Sequence, residues 1–147
     1  MVDFRRLEDA DIAGKRVLVR VDFNVPRDDS GKITDDTRIK AALPTIEYLR
    51  KRGVITILLS HYGRPKGERI SGESLMGLVP HLSNLLGCNV SFAPDCIGAQ
   101  TEKAVTALRP GDVILLENTR FHSGEETAPD GTKGYDPDFA KTLASMG

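Results

Sequence analysis

The 147-residue sequence predicts an α/β fold in which a parallel sheet lies between two layers of helices, and three observations predict it. Short apolar runs rich in Val, Ile and Leu recur four times, stretches with helical spacing separate them, and most of those stretches end at a clear stop signal. Strand and helix alternating through four rounds is the pattern of βαβ crossovers, which set strands parallel and pack helices on the sheet faces.

The apolar runs at residues 16–21, 54–59, 89–92 and 113–116 are too short for typical helices and read as buried strands. Between the first two, Ile39, Leu43, Ile46 and Leu49 form one stripe of a helix over 38–52 that stops at Gly53. Asp35, Asp36 and Thr37 offer capping oxygens at its start. Pro44 inside the pattern leaves two readings: a kink, or a helix that begins anew with Pro44 in its first turn. A second helix fits 74–86, with Ser74 as cap, Leu75, Leu78, Val79, Leu82 and Leu85 as its apolar face, Gly87 as its end and Pro80 as an interruption. A third fits 98–108, stopped by Arg109, Pro110 and Gly111, and a fourth fits 137–145. No repeat or low-complexity tract is visible. The alternation calls for another strand after the last helix, so the three-layer, Rossmann-like sheet is expected to be cut off before it is complete.

Composition excludes several classes. Twenty Lys and Arg against 21 Asp and Glu give a formal charge of −1, without the basic excess of a nucleic-acid module. No apolar run approaches the roughly 20 residues that span a bilayer. The N-terminal stretch carries Asp3, Arg5, Arg6, Glu8 and Asp9 where a secretory leader needs apolar residues, so a cytoplasmic protein is expected. Cys88 and Cys96 lack C-x-x-C spacing and read as reduced, partly buried thiols, and no metal site is expected. P-loop, dinucleotide and hydrolase-triad motifs are missing. His81 reads as structural, the pairs Asp28-Asp29 and Asp35-Asp36 lack calcium-loop spacing, and Glu125-Glu126 reads as a solvated pair of charges.

Three connections are long, at 22–37, 60–73 and 117–136, and all follow the C-terminal ends of strands, where open parallel sheets bind ligands. In the first, an extended backbone puts Arg20, Asp22 and Asn24 on one side and Val19, Val21 and Phe23 on the other. Asp22 and Asn24 could then meet a ligand hydroxyl, or form an Asx turn into Val25-Pro26. The second carries His61, Arg64 and Lys66 between Gly63 and Gly67, which suits an anion cradle or a solvated basic loop. Arg120 and His122 follow the fourth strand, and Arg38 opens the first helix. Cations focused at one sheet edge of a near-neutral protein suit a small phosphorylated or carboxylated ligand.

These residues resemble a known family. The segments Arg16-Val17-Leu18-Val19-Arg20-Val21-Asp22-Phe23-Asn24-Val25-Pro26, Asp35-Asp36-Thr37-Arg38-Ile39, Leu59-Ser60-His61-Tyr62-Gly63-Arg64-Pro65-Lys66-Gly67 and Leu115-Leu116-Glu117-Asn118-Thr119-Arg120-Phe121 are similar, in order, to phosphoglycerate kinases. One departure is visible: Tyr62 stands where that family has a smaller apolar residue, commonly Leu or Phe.

The resemblance implies reversible in-line phosphoryl transfer from 1,3-bisphosphoglycerate to ADP, giving 3-phosphoglycerate and ATP. It makes residues 1–147 a partial N-terminal substrate-binding domain, with magnesium ADP or ATP held by a C-terminal lobe absent from this chain. The chain alone is expected to bind no nucleotide and to be inactive; a non-catalytic phosphoglycerate-binding module is the alternative. The implied substrate site comprises Asp22, Phe23, Asn24, Arg38, His61, Tyr62, Gly63, Arg64 and Arg120. In it Asp22 and Asn24 hold the glycerate end, His61, Arg64 and Arg120 cradle the 3-phosphate, and Arg38 is the catalytic arginine.

Overall fold

The computed structural model describes residues 3–147; Met1 and Val2, which open the charged N-terminal stretch, lie outside the described residues. Among the described residues four strands form one parallel sheet: β1 (Arg16–Arg20), β2 (Ile55–Leu59), β3 (Val90–Ala93) and β4 (Val113–Leu116), in the order β1-β2-β4-β3. The helices α1 (Thr37–Lys51), α2 (Val79–Leu86), α3 (Ala99–Thr106) and α4 (Pro137–Ala144) alternate with them.

Side chains alternate along each strand and so feed two cores. Leu58, Val113 and Leu115 point to one face, where Ile39 and Ile46 of α1 and Leu82 and Leu86 of α2 cover them together with Phe23 and Val25. Ile57, Leu59, Ile114 and Leu116 point to the other, under Val105 of α3 and Phe139 and Leu143 of α4. The expected three layers are present. The division follows from handedness: β1 to β2 and β2 to β3 cross in one direction, β3 to β4 crosses back, and right-handed crossovers then place α3 on the opposite face from α1 and α2.

That reversal creates a crevice. The connection leaving β2 turns to one face and the connection leaving its neighbour β4 turns to the other, which is the kind of point at which open α/β sheets bind ligands.

Several local expectations need correction. Among the described residues β1 pairs with β2 alone and its ends, Arg16 and Arg20, are exposed, whereas β4, between β2 and β3, is buried throughout. α1 runs unbroken through Pro44. The expected helix over 74–86 divides into a 3-10 turn, Leu75–Leu78, and α2, with Pro80 in the first turn of α2, where a missing N–H costs no intrahelical bond. At the start of α1 the capping oxygen comes from Asp35, whose Oδ1 accepts from Thr37 N at 2.9 Å, while Asp36 is engaged by His81 Nε2 at 2.8 Å. His81 is therefore structural, tying α2 to the start of α1.

The two longest connections contain the same small ribbon. Arg27 bridges antiparallel to Ile33, and one hundred residues further on Thr127 bridges Lys133. Asp28 N donates to Lys32 O at 2.8 Å and Ala128 N to Thr132 O at 2.9 Å. Gly31 and Gly131 both take φ +85°, a backbone state that turns of this kind require. This repetition of form was invisible in the sequence, because different residues build it.

Candidate functional site

The ends of β1, β2 and β4 converge through backbone and amide hydrogen bonds. Past β1 the ladder continues for one residue, with Val21 N donating to Leu59 O at 2.9 Å, and Phe23 N then donates to Ser60 Oγ at 2.9 Å. Phe23 itself is fully buried in the first core. Its ring packs into that core beneath the loop, which leaves its backbone as the part of Phe23 available at the crevice edge. Of the two readings of the next residues the Asx turn is present: Asn24 N donates to Asp22 Oδ1 at 3.2 Å.

Asn24 Oδ1 accepts from Gly63 N at 3.1 Å, joining the first connection to the second. Gly63 suits this place: its φ is +61°, and a Cβ would lie 2.5 Å from Glu73 Oε1, so a larger residue would have to displace that side chain. Arg38 turns back from the first turn of α1, donating from Nη1 to Asn24 O at 2.8 Å and lying 3.5 Å from Asp22 Oδ1. Half of its side chain stays exposed, so the guanidinium retains donors for a ligand.

Arg120 comes from the 3-10 turn after β4 and donates from Nη1 to Gly63 O at 3.3 Å. Arg64 and Lys66 join it in a cleft of about 450 Å³ whose other lining residues are Glu126 and Lys133. Lys66 holds a left-handed backbone, φ 55°, next to Gly67, whose N–H donates to Arg120 O at 3.1 Å. His61 lies within electrostatic reach of Arg120, Arg20, Asp22 and Glu125. Burial, with Arg120 and then Arg20 beside it, pushes its imidazole below the ordinary value. Tyr62 turns away: Arg27 lies over its ring at 4.0 Å, and the ring packs against the first core.

Asn118 and Glu117 escaped the chemical reading of the loops. Asn118, 1% exposed, accepts at Oδ1 from Tyr62 N (3.1 Å) and Arg120 N (3.0 Å) and donates from Nδ2 to Tyr62 O (2.7 Å) and Glu73 O (3.0 Å). Every hydrogen-bonding position of its amide that matters to the loops is used, which locks the β2 and β4 connections together. Glu117, 4% exposed, accepts from Ser74 Oγ at 2.6 Å and from Leu75 N and Asn118 N at 2.9 Å. The available signal was a carboxylate and an amide directly following a wholly apolar strand, where polar groups must find partners.

Two sequence readings fail here. His122 does not join the cradle, because its Nε2 meets Asp95 Oδ1 at 2.6 Å and its ring stacks obliquely on Phe139 at 5.3 Å. Glu125 and Glu126 are not simply solvated: Arg20 grips both oxygens of Glu125, and Arg120 Nε lies 3.1 Å from Glu126 Oε1. Among the described residues, Asp95, Cys96 and His122 bring ligand-type atoms within 4.8 Å of one another. Burial pushes the Cys96 thiol up to about 12, and Arg69 lies 3.6 Å from Asp95 Oδ2. No helix among the described residues is long and apolar enough to cross a membrane.

Comparisons with known proteins agree with one another. The sequence model of the phosphoglycerate kinase family matches residues 7–147. A phosphoglycerate kinase of Coprothermobacter proteolyticus is 51% identical over 143 residues, covering 97% of this chain and 35% of that relative, and one of Azorhizobium caulinodans is 52% identical over 147 residues, 100% of this chain and 35% of that relative. The crystal structure of a phosphoglycerate kinase from Pyrococcus horikoshii superposes with a TM-score of 0.81 at 33% identity, over 97% of this chain and 35% of that one. The chain thus spans about a third of the length of the relatives it matches.

Proposed function

The chain belongs to the phosphoglycerate kinase family, and we propose that it carries the glycerate-phosphate site of an enzyme that reversibly transfers a phosphoryl group from 1,3-bisphosphoglycerate to ADP, giving 3-phosphoglycerate and ATP. The observation that carries this reading is a run of contacts along one edge of the sheet: Arg38 donates to Asn24 O, Asn24 Oδ1 accepts from Gly63 N, Gly63 O accepts from Arg120, His61 lies within electrostatic reach of Arg120 and Asp22, and Arg64 lines the cleft beside Arg120. Asp22 and Asn24 meet the glycerate hydroxyl and carboxyl region. His61, Arg64 and Arg120 take the 3-phosphate, for which planar guanidinium forks and an imidazole donor are suited.

Arg38 has the role of stabilising charge on the transferring phosphoryl oxygens. Its donors remain partly exposed beside the glycerate end, and phosphoryl transfer depends mainly on positioning and charge neutralisation, without acid/base pairs or a covalent intermediate. Magnesium ADP or ATP is the second substrate, and none of the residues named here is assigned to it. A cytoplasmic location and a partial N-terminal domain within a longer, two-lobed enzyme complete the reading. A coupled assay with magnesium ADP and 1,3-bisphosphoglycerate, on protein expressed from the complete gene, tests it. Turnover on the order of 1–100 per second is expected. Background rates alone would refute the activity.

A further inference from the structure

Glu126 occupies the place of a ligand anion. Its carboxylate lies against Arg120 Nε at 3.1 Å in the cleft whose remaining lining residues, Arg64, Lys66, Arg120 and Lys133, are all cationic. The lining thus holds four cations and one carboxylate, paired with Arg120. The adjacent Glu125 serves differently: its side chain is 11% exposed and both its oxygens are held by Arg20, which anchors the segment to the end of β1. Glu126 is 41% exposed, and its backbone is fixed by Glu126 N donating to Ser123 O at 3.1 Å and Gly134 N donating to Glu126 O at 3.0 Å. A change of side-chain rotamer is therefore enough to withdraw its carboxylate into water without moving the loop.

We infer that Glu126 is a built-in counter-anion of the phosphate cleft, neutralising Arg120 in the free protein and displaced by the phosphate of the incoming ligand. This rests on the reading that the cleft takes the phosphate group of a phosphoglycerate. A guanidinium and three further cations left bare would bind a doubly charged phosphate tightly and release it slowly; re-pairing of Arg120 with Glu126 supports departure. The ion pair is partly exposed, so its displacement lowers affinity by a modest factor, not by orders of magnitude.

Calorimetric titration of the protein expressed from its complete gene, with 3-phosphoglycerate and with inorganic phosphate, tests the assignment. Glu126→Gln and Glu126→Ala are each expected to bind both ligands about two- to fivefold more tightly than the unsubstituted protein. Thermal melts of the variants establish that they fold. In the unsubstituted protein, the carboxyl carbon resonance of Glu126 is expected to move on saturation with 3-phosphoglycerate while that of Glu125 stays in place. Equal or weaker binding by the folded variants, or an unmoved Glu126 resonance under saturation, overturns the counter-anion role. Failure of the unsubstituted protein to bind 3-phosphoglycerate overturns instead the reading of the cleft on which it rests.

Discussion

The connection before α1 and the connection before α4 solve the same problem with the same backbone and send opposite charges to their helices. Each carries a ribbon closed by a single antiparallel bridge, Arg27 to Ile33 in one and Thr127 to Lys133 in the other. Each uses an aspartate to fasten the turn: Asp28 Oδ1 accepts from Ser30 N and Lys32 N at 3.0 and 2.9 Å, and Asp130 Oδ1 accepts from Thr132 N at 3.0 Å. Each then caps its helix with another aspartate, Asp35 receiving Thr37 N and Asp136 receiving Asp138 N, both at 2.9 Å. The first helix presents Arg38, which reaches back over its own connection to Asn24; the corresponding residue of the second is Asp138, followed by Phe139, which enters the second core beside His122. Long loops of this kind are thus ordered by generic turn chemistry, and their function is decided by one or two side chains delivered at fixed points.

The largest expected effect separates the two helix starts. In protein expressed from the complete gene, Arg38→Ala is expected to cut kcat by about 10³-fold or more while leaving KM for 3-phosphoglycerate within a few-fold, because the guanidinium serves the transition state more than the bound substrate. Arg38→Lys, which keeps the charge and loses the planar fork, is expected to recover little. Asp138→Ala should leave kcat unchanged. Steady-state kinetics decide, and a raised KM with a normal kcat for Arg38→Ala would make that residue a ground-state binding group.

The cradle comes next. Arg120→Ala is expected to weaken 3-phosphoglycerate binding by about 1.5–3 kcal/mol, the worth of a charge-assisted hydrogen bond, measured by calorimetry at two salt concentrations. Arg64→Ala should cost less, since its side chain lacks the tie to Gly63 O that orients Arg120. Unchanged affinity in both variants would dismiss the cradle.

A smaller effect tests the likeness of the two ribbons. Gly31→Ala and Gly131→Ala place a Cβ on a left-handed backbone with nothing crowding it, so each is expected to destabilise the protein by about 1–2 kcal/mol and to equal extent in urea unfolding. Unequal losses would show that the ribbons differ in how tightly the rest of the fold holds them.

The smallest effect is acid sensitivity. Asp28 is held below its ordinary value by the Ser30 hydroxyl and then the Lys32 N–H, and Asp130 by the Thr132 hydroxyl and then the Thr132 N–H. A carboxyl with a lowered folded-state pKa contributes stability that is complete above its unfolded value of about 4 and lost as pH falls through the lower folded value. Asp28→Asn and Asp130→Asn are therefore expected to flatten the stability profile below about pH 4 and leave it unaltered in shape at pH 7. Melts across pH 2–7 check this, and a profile as steep as that of the unsubstituted protein would remove these turns from the acid response.

Much of the fold could be read along the chain, since periodicity and stop signals are local. The four strands, four helices and three long connections lie where the apolar runs, Gly53, Gly87 and Pro110 indicate. Pro80 misled because the same residue that breaks a helix interior is at home in a first turn, and the difference lies in the neighbouring 3-10 turn. Of the candidate site, Asp22, Asn24, His61, Arg64 and Arg120 could be singled out by chemistry and position after strand ends, and Arg38 by its place at the start of a helix. That the rings of Phe23 and Tyr62 pack toward the first core could not be read from the sequence, because it depends on contacts made across the fold.

By itself the sequence determined the alternation of elements, the lengths of the connections and the chemistry available at each strand end, because these depend on residues a few positions apart. Only the tertiary structure decided the strand order β1-β2-β4-β3, the crevice that the reversal opens between β2 and β4, and the partners across it. Asn24 meets Gly63, Asn118 meets Tyr62, and His122 is drawn to Asp95 and away from the cradle, all across 27 to 56 residues of chain. No local pattern encodes such pairings. They follow from which strand lies next to which, and that is settled by how the crossovers bury both faces of the sheet at once.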